Sequence, residues 1–122
     1  MSLLSHVDVR VCDMAAARSF YDPLLAAMGA PADVGKTFTT YEIPGGAGDW
    51  FGITEDRDFA PGPARIAFRA ADRAAVDRIA ALLPGIGAKN VEMDDGVYGD
   101  QYYAVFFEDP DGNALEVCCV GP

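Results

Sequence analysis

Cysteine, histidine, tryptophan and positive charge are all scarce in this sequence. Its 122 residues include three Cys, one His, one Trp and 9 Lys or Arg against 19 Asp or Glu, a net charge of −10. Three cysteines, an odd number, do not make a disulfide framework and argue for a reducing compartment. So acidic a chain offers no basic patch, which excludes nucleic acid and anionic membranes as partners. No apolar run approaches the ~18–20 residues needed to cross a bilayer. No basic segment followed by a long apolar core opens the chain, so a cytoplasmic location is expected. CxxC, HExxH, P-loop, GxGxxG and GxSxG motifs are missing, and zinc ribbons, nucleotide folds and serine hydrolases lose their support with them.

What is present is ordinary globular material, 51% apolar with 13 Gly and 8 Pro. One domain over residues 1–122 is expected, able to bury roughly two-thirds of its unfolded surface without staples. The densest signal lies over 102–120, YYAVFFEDPDGNALEVCCV. Two apolar runs flank Asp109-Pro110-Asp111-Gly112-Asn113, where Pro presets φ, Gly allows positive φ and Asp or Asn bonds its own backbone. This predicts a β-hairpin with a loop of about five residues. Strand side chains alternate, so Leu115, Val117 and Cys119 share one face while Ala114, Glu116 and Cys118 share the other.

Upstream, residues 5–12 alternate Val7, Val9, Val11 against His6, Asp8, Arg10, Cys12, a half-buried strand with a polar face. Asp13 is an N-cap candidate for a helix over 14–28, kinked at Pro23 and ended by Gly29. Strands follow over 36–43 and 50–54. The pattern then restarts: a strand over 64–71, an N-cap at Asp72, a helix over 73–83 stopped by Pro84-Gly85, a strand over 89–93 and the hairpin. A shift of 59 brings His6 onto Arg65, Val9 onto Phe68, Asp13 onto Asp72 and Leu24 onto Leu83. Later in each half the shift is 64, which brings Gly48 onto Gly112 and Gly52 onto Glu116. The chain is an internal duplication, with module one over about 5–59 and module two over about 63–120.

The stretches HVDVRVCD…SFYDPLLAAMG, RIAFRAADRAAVD and YYAVFFEDPDGNALEV resemble the paired βαβββ modules of the vicinal oxygen chelate superfamily, which includes glyoxalase I, bleomycin-resistance proteins, fosfomycin-resistance thiol transferases and extradiol dioxygenases. The resemblance implies an α+β fold of two tandem βαβββ modules forming a cupped mixed sheet, with helices on the convex face. It also implies one metal ligand from the first and the last strand of each module. His6 and Glu116 match two such positions. Arg65 and Gly52 occupy the other two, and neither supplies a lone pair. The resemblance therefore implies an incomplete metal site of His6 and Glu116, holding no ion or one divalent Zn, Ni, Mn or Fe.

Two functions stay open. One is a glyoxalase-like lyase or isomerase, with Glu116 as general base. The other is a metal-free protein that sequesters a small compound or antibiotic, cationic if the −10 charge guides it. In both, Asp8, Arg10, Arg65, Arg69 and Trp50 line a small-molecule pocket, with Tyr98 and Tyr103 contributing from beside the hairpin. In the metal-free reading a Glu116–Arg65 pair replaces the ion. The resemblance also implies a homodimer.

Overall fold

The computed structural model describes residues 3–96 and 99–121. The chain divides into two compact units, Met1–Ala60 and Pro61–Pro122. In the first, β1 (His6–Val11) leads to α1 (Met14–Ala27), then β2 (Ala32–Val34), β3 (Phe38–Glu42) and β4 (Trp50–Glu55). In the second, β5 (Arg65–Arg69) leads to α2 (Arg73–Leu82), then β6 (Lys89–Asp95), β7 (Tyr102–Glu108) and β8 (Ala114–Val120). Each unit is thus one βαβββ module. The sheets have the same order, β1-β4-β3-β2 and β5-β8-β7-β6, with the first and last strands parallel.

The ladders carry the duplication residue by residue. His6 pairs with Trp50, and Arg65 pairs with Ala114. Asp8 pairs with Gly52, and Ala67 pairs with Glu116. These are the partners that shifts of 59 and 64 require.

In module one, α1 packs against the sheet through Ala17, Phe20, Tyr21, Leu24 and Leu25, which meet Val9, Val11, Tyr41, Phe51 and Ile53. Tyr21 lies 5.5 Å from Phe51 between ring centroids, and Tyr41 lies 6.2 Å from Phe51. The Tyr41 hydroxyl donates to Asp22 Oδ1 at 2.7 Å, and Asp22 also binds Arg18. Burial and that bond raise the Tyr41 pKa, so the phenol stays neutral. In module two, Val76, Ile79 and Leu83 meet Val105, Phe107, Leu115 and Val117, all buried. Each sheet therefore has one face covered by its own helix and one, the open face, that its helix does not cover, although Asp94, Ala104 and Glu116 are buried there in module two.

The local signals differ from the structure at several points. Asp13 makes no side-chain cap bond; the Met14 N–H goes instead to Glu55 Oε2 at the end of β4 (2.9 Å). Asp72 does cap α2, accepting from the Ala75 N–H at 2.8 Å. α1 continues through Pro23, which removes one backbone donor without ending the helix. Gly29 ends it at φ 83°, with its own N–H on Ala26 and that of Ala30 on Leu25, a Schellman closure. Pro84-Gly85 does not stop the second helix outright. Leu83–Ile86 tightens into a 3₁₀ turn, whose start tolerates proline, and Gly87 at φ 94° releases the chain. The βαβββ resemblance implies the strand β2, but the residue pattern does not place it: three exposed residues are too short for periodicity to show.

The hairpin loop is anchored by one buried side chain. Asp109 Oδ1 accepts from the N–H groups of Asp111 (2.9 Å) and Asn113 (2.8 Å), and Oδ2 accepts from Asn113 Nδ2 (2.7 Å). Gly112 takes φ 96° there, a conformation that costs glycine nothing. This loop fixes the register in which Glu116 faces Phe106 across β7 and β8. No helix among the described residues is long and apolar enough to cross a membrane.

Candidate functional site

On the open face of module one, strand register sets the side chains in cross-strand rows. One row is Glu42, Trp50 and His6; the next is Asp33, Thr40, Gly52 and Asp8. The His6 imidazole stacks on the Trp50 indole, with centroids 4.3 Å apart and planes 6° from parallel. His6 Nδ1 also lies 3.1 Å from Ser5 Oγ. The indole leans along its own strand onto Gly52. A Cβ on Gly52 would sit 2.5 Å from Trp50 Cζ3 and 3.0 Å from Cε3. Gly52 is buried by that ring, and the space of its absent side chain is taken.

Asp8 and Arg10 are engaged on the same face. Thr54 Oγ1 donates to Asp8 Oδ1 at 2.7 Å, and Arg10 Nε lies 3.8 Å from Asp8 Oδ2. The latter pair is well exposed and contributes little to stability. On the β3 side of the indole a cavity of about 420 Å³ opens, lined by Asp33, Thr40, Glu42 and Trp50 among others.

On the open face of module two, Glu116 is 6% exposed and its Oε2 has no hydrogen-bond partner among the described residues. Burial raises its pKa above the ordinary carboxylate value. The nearby Arg65 charge and a hydrogen bond with Cys118 pull the other way, and Asp94 adds to the rise. Burial, then the Glu116 charge, push the Cys118 thiol up as well, so it stays protonated. The expected direct Glu116–Arg65 ion pair is not formed. The Arg65 guanidinium lies over the Phe106 ring instead, 4.6 Å from its centroid, and acts on Glu116 only through space. Arg65 and Phe106 line a second cavity, of about 250 Å³, with Asn90, Glu92 and Glu108. Asn90 holds φ 52°, and its amide donates to Glu108 Oε1 at 3.0 Å. Arg69 pairs with Cys118 in register and is exposed.

The structure thus brings His6, Asp8, Arg10 and Trp50 onto one open face, and Arg65, Arg69 and Glu116 onto another. Tyr103 is not on the second face. Its pairing with Cys119 turns it toward α2, where its hydroxyl donates to Asp77 Oδ1 and its ring lies 4.8 Å from the Arg73 guanidinium carbon. Tyr98 lies outside the described residues. Sequence reading missed Asp33, Thr40, Glu42 and Phe106. Glu42 and Asp33 share the face of Trp50 only through the register of β2 and β3, and no periodicity announces a three-residue strand.

The donor set fits a metal poorly. Module one offers His6 but fills the Gly52 position with an indole. Module two offers Glu116 but sets a permanent cation at Arg65, which has no lone pair to give. Among the described residues, no group of three or more His, Cys, Asp or Glu side chains is arranged to hold an ion.

Comparison with known proteins places this geometry. A glyoxalase/bleomycin resistance protein from Albidiferax ferrireducens T118 is similar at 28% identity and a TM-score of 0.82, over 97% of this chain and 98% of that one. A lactoylglutathione lyase from Agrobacterium tumefaciens (19% identity, TM-score 0.72, 98% and 94% covered) shares the fold. So does the fosfomycin resistance protein FosX from Listeria monocytogenes (21%, 0.73, 98% and 93%). No curated protein matches the chain significantly. The family model described as Glyoxalase/Bleomycin resistance protein/Dioxygenase superfamily matches residues 3–117. Members of that superfamily bind small molecules, and many use a divalent metal. With two βαβββ modules and a family match over nearly all of its length, the chain belongs to the Glyoxalase/Bleomycin resistance protein/Dioxygenase superfamily.

Proposed function

We propose that this protein is a metal-independent binder of a small molecule, held on the open face of module one and chiefly against Trp50. The observation that carries this reading is the indole laid across Gly52 and stacked on His6. It replaces a donor position with an apolar wall, and an aromatic wall with a few polar groups around it is what a small-molecule site needs. Trp50 is the only tryptophan, so its emission reports on the face directly. A compound screen on EDTA-treated protein, read by Trp50 emission and by thermal shift, is expected to give ligands that stabilise it. Ligands that bind only after a divalent ion is restored would contradict the reading. The odd count of three cysteines supports a cytoplasmic setting for this work.

A second reading is favoured by Glu116 alone. A buried carboxylate with one oxygen unbonded and a raised pKa is suited to take a proton from a bound substrate. In that case the protein is a lyase or isomerase, and Arg65 orients or polarises an oxygen of the substrate. Turnover abolished by Glu116→Gln, with ligand binding retained, would establish it.

A further inference from the structure

We infer that the cavity beside Trp50 is a subsite for a small organic cation of the alkylammonium class. The inference rests on the metal-independent binding reading above and names the ligand chemistry of module one. His6 covers the β1 side of the indole at stacking distance, so that side is closed. The cavity of about 420 Å³ lies on the β3 side, and Trp50 forms its wall. Glu42, the cross-strand partner of Trp50, and Asp33, the partner of Thr40, line it as well. No Arg or Lys among the described residues lines it. An indole face attracts a cation through its quadrupole, and two carboxylates at its rim give the same site a negative potential.

The arrangement selects an organic cation over a metal ion. Glu42 and Asp33 stand in different cross-strand rows on different strands, and no third donor joins them in a ligand cluster among the described residues. An indole face does not replace the hydration shell of a hard ion, but it suits the weakly hydrated methyl groups of an ammonium. Thr40 and Pro31 complete the wall with a hydroxyl and an apolar ring, leaving room for a short substituent.

The test uses choline chloride and its uncharged isostere, 3,3-dimethylbutan-1-ol, on the full chain at constant ionic strength. Trp50 emission is expected to change saturably with choline in the range of about millimolar, and not with the alcohol. Asp33→Asn and Glu42→Gln, both at exposed positions, are each expected to weaken choline by about two- to fivefold. Equal saturation by choline and the alcohol would overturn the inference. So would an unchanged choline affinity in the double variant, or no saturable response. A screening ligand that stabilises the EDTA-treated protein without competing with choline would remove the cation assignment while leaving the binding reading in place.

Discussion

Gly52 and Trp50 act as one unit, because the ring occupies the volume a side chain at position 52 would need. Gly52→Ala must swing the indole off its place over the strand and off His6. It is expected to cost about 1–3 kcal/mol in urea denaturation and to shift Trp50 emission to the red. Unchanged emission would mean that the indole stays in place and does not fill the volume of that side chain. Glu116 makes a prediction of a different kind. Its folded carboxyl holds a proton more tightly than the unfolded chain does, so the folded state binds more protons above the ordinary value of about 4.5. Stability is therefore fullest below that value and falls as pH rises through the raised pKa. Glu116→Gln removes the slope. The variant is expected to gain in urea midpoint over the parent at neutral pH, with the gain shrinking toward pH 4.5. A gain of equal size at both would assign the effect to packing alone.

Among the elements, the closing hairpin shows how much local chemistry can be read before any fold is known. Asp109, Gly112 and Asn113 announce the turn, and the loop hydrogen bonds confirm each role. Asp109→Ala removes three bonds to a buried carboxylate and is expected to destabilise by roughly 2–4 kcal/mol. Asp109→Asn, which keeps an acceptor oxygen, should cost clearly less; equal losses in urea unfolding would point to packing instead. The helices were legible through apolar spacing and through Asp72. The cap of α1 was not, because Glu55 reaches Met14 from a strand 41 residues away in sequence. The polar face of β1 was legible by alternation. Its neighbours on β3 and β2 were not, since which residue of one strand faces which of another is decided by pairing and not by either strand's own pattern. That is why Trp50 was named from the sequence while Glu42 and Asp33 were missed. Tyr103, expected to contribute to the pocket, lies on the α2 side with Val105 and Phe107.

Across the chain, the two modules repeat one topology and diverge in what they place at equivalent positions. Gly52 under an indole answers to the buried Glu116, and His6 answers to Arg65. Duplication preserved the ladders and let the open faces specialise. Among the described residues, the edge strands β2 and β6 each lack a partner strand on their outer side, with Val34, Val91 and Met93 exposed along them. Unpaired edges favour association with a second copy. Light scattering on the eluting protein is expected to give twice the 12.9 kDa of one chain, and a monomer at all accessible concentrations would refute that. Elemental analysis decides whether aromatic stacking and a guanidinium stand where metal donors would be needed. The untagged protein is stripped, reloaded in turn with Mg, Mn, Fe, Ni, Co and Zn, and compared with His6→Ala and Glu116→Ala. No stoichiometric ion under any loading is the expected result. One ion per chain, lost in both variants, would contradict it and restore a metal site completed by water.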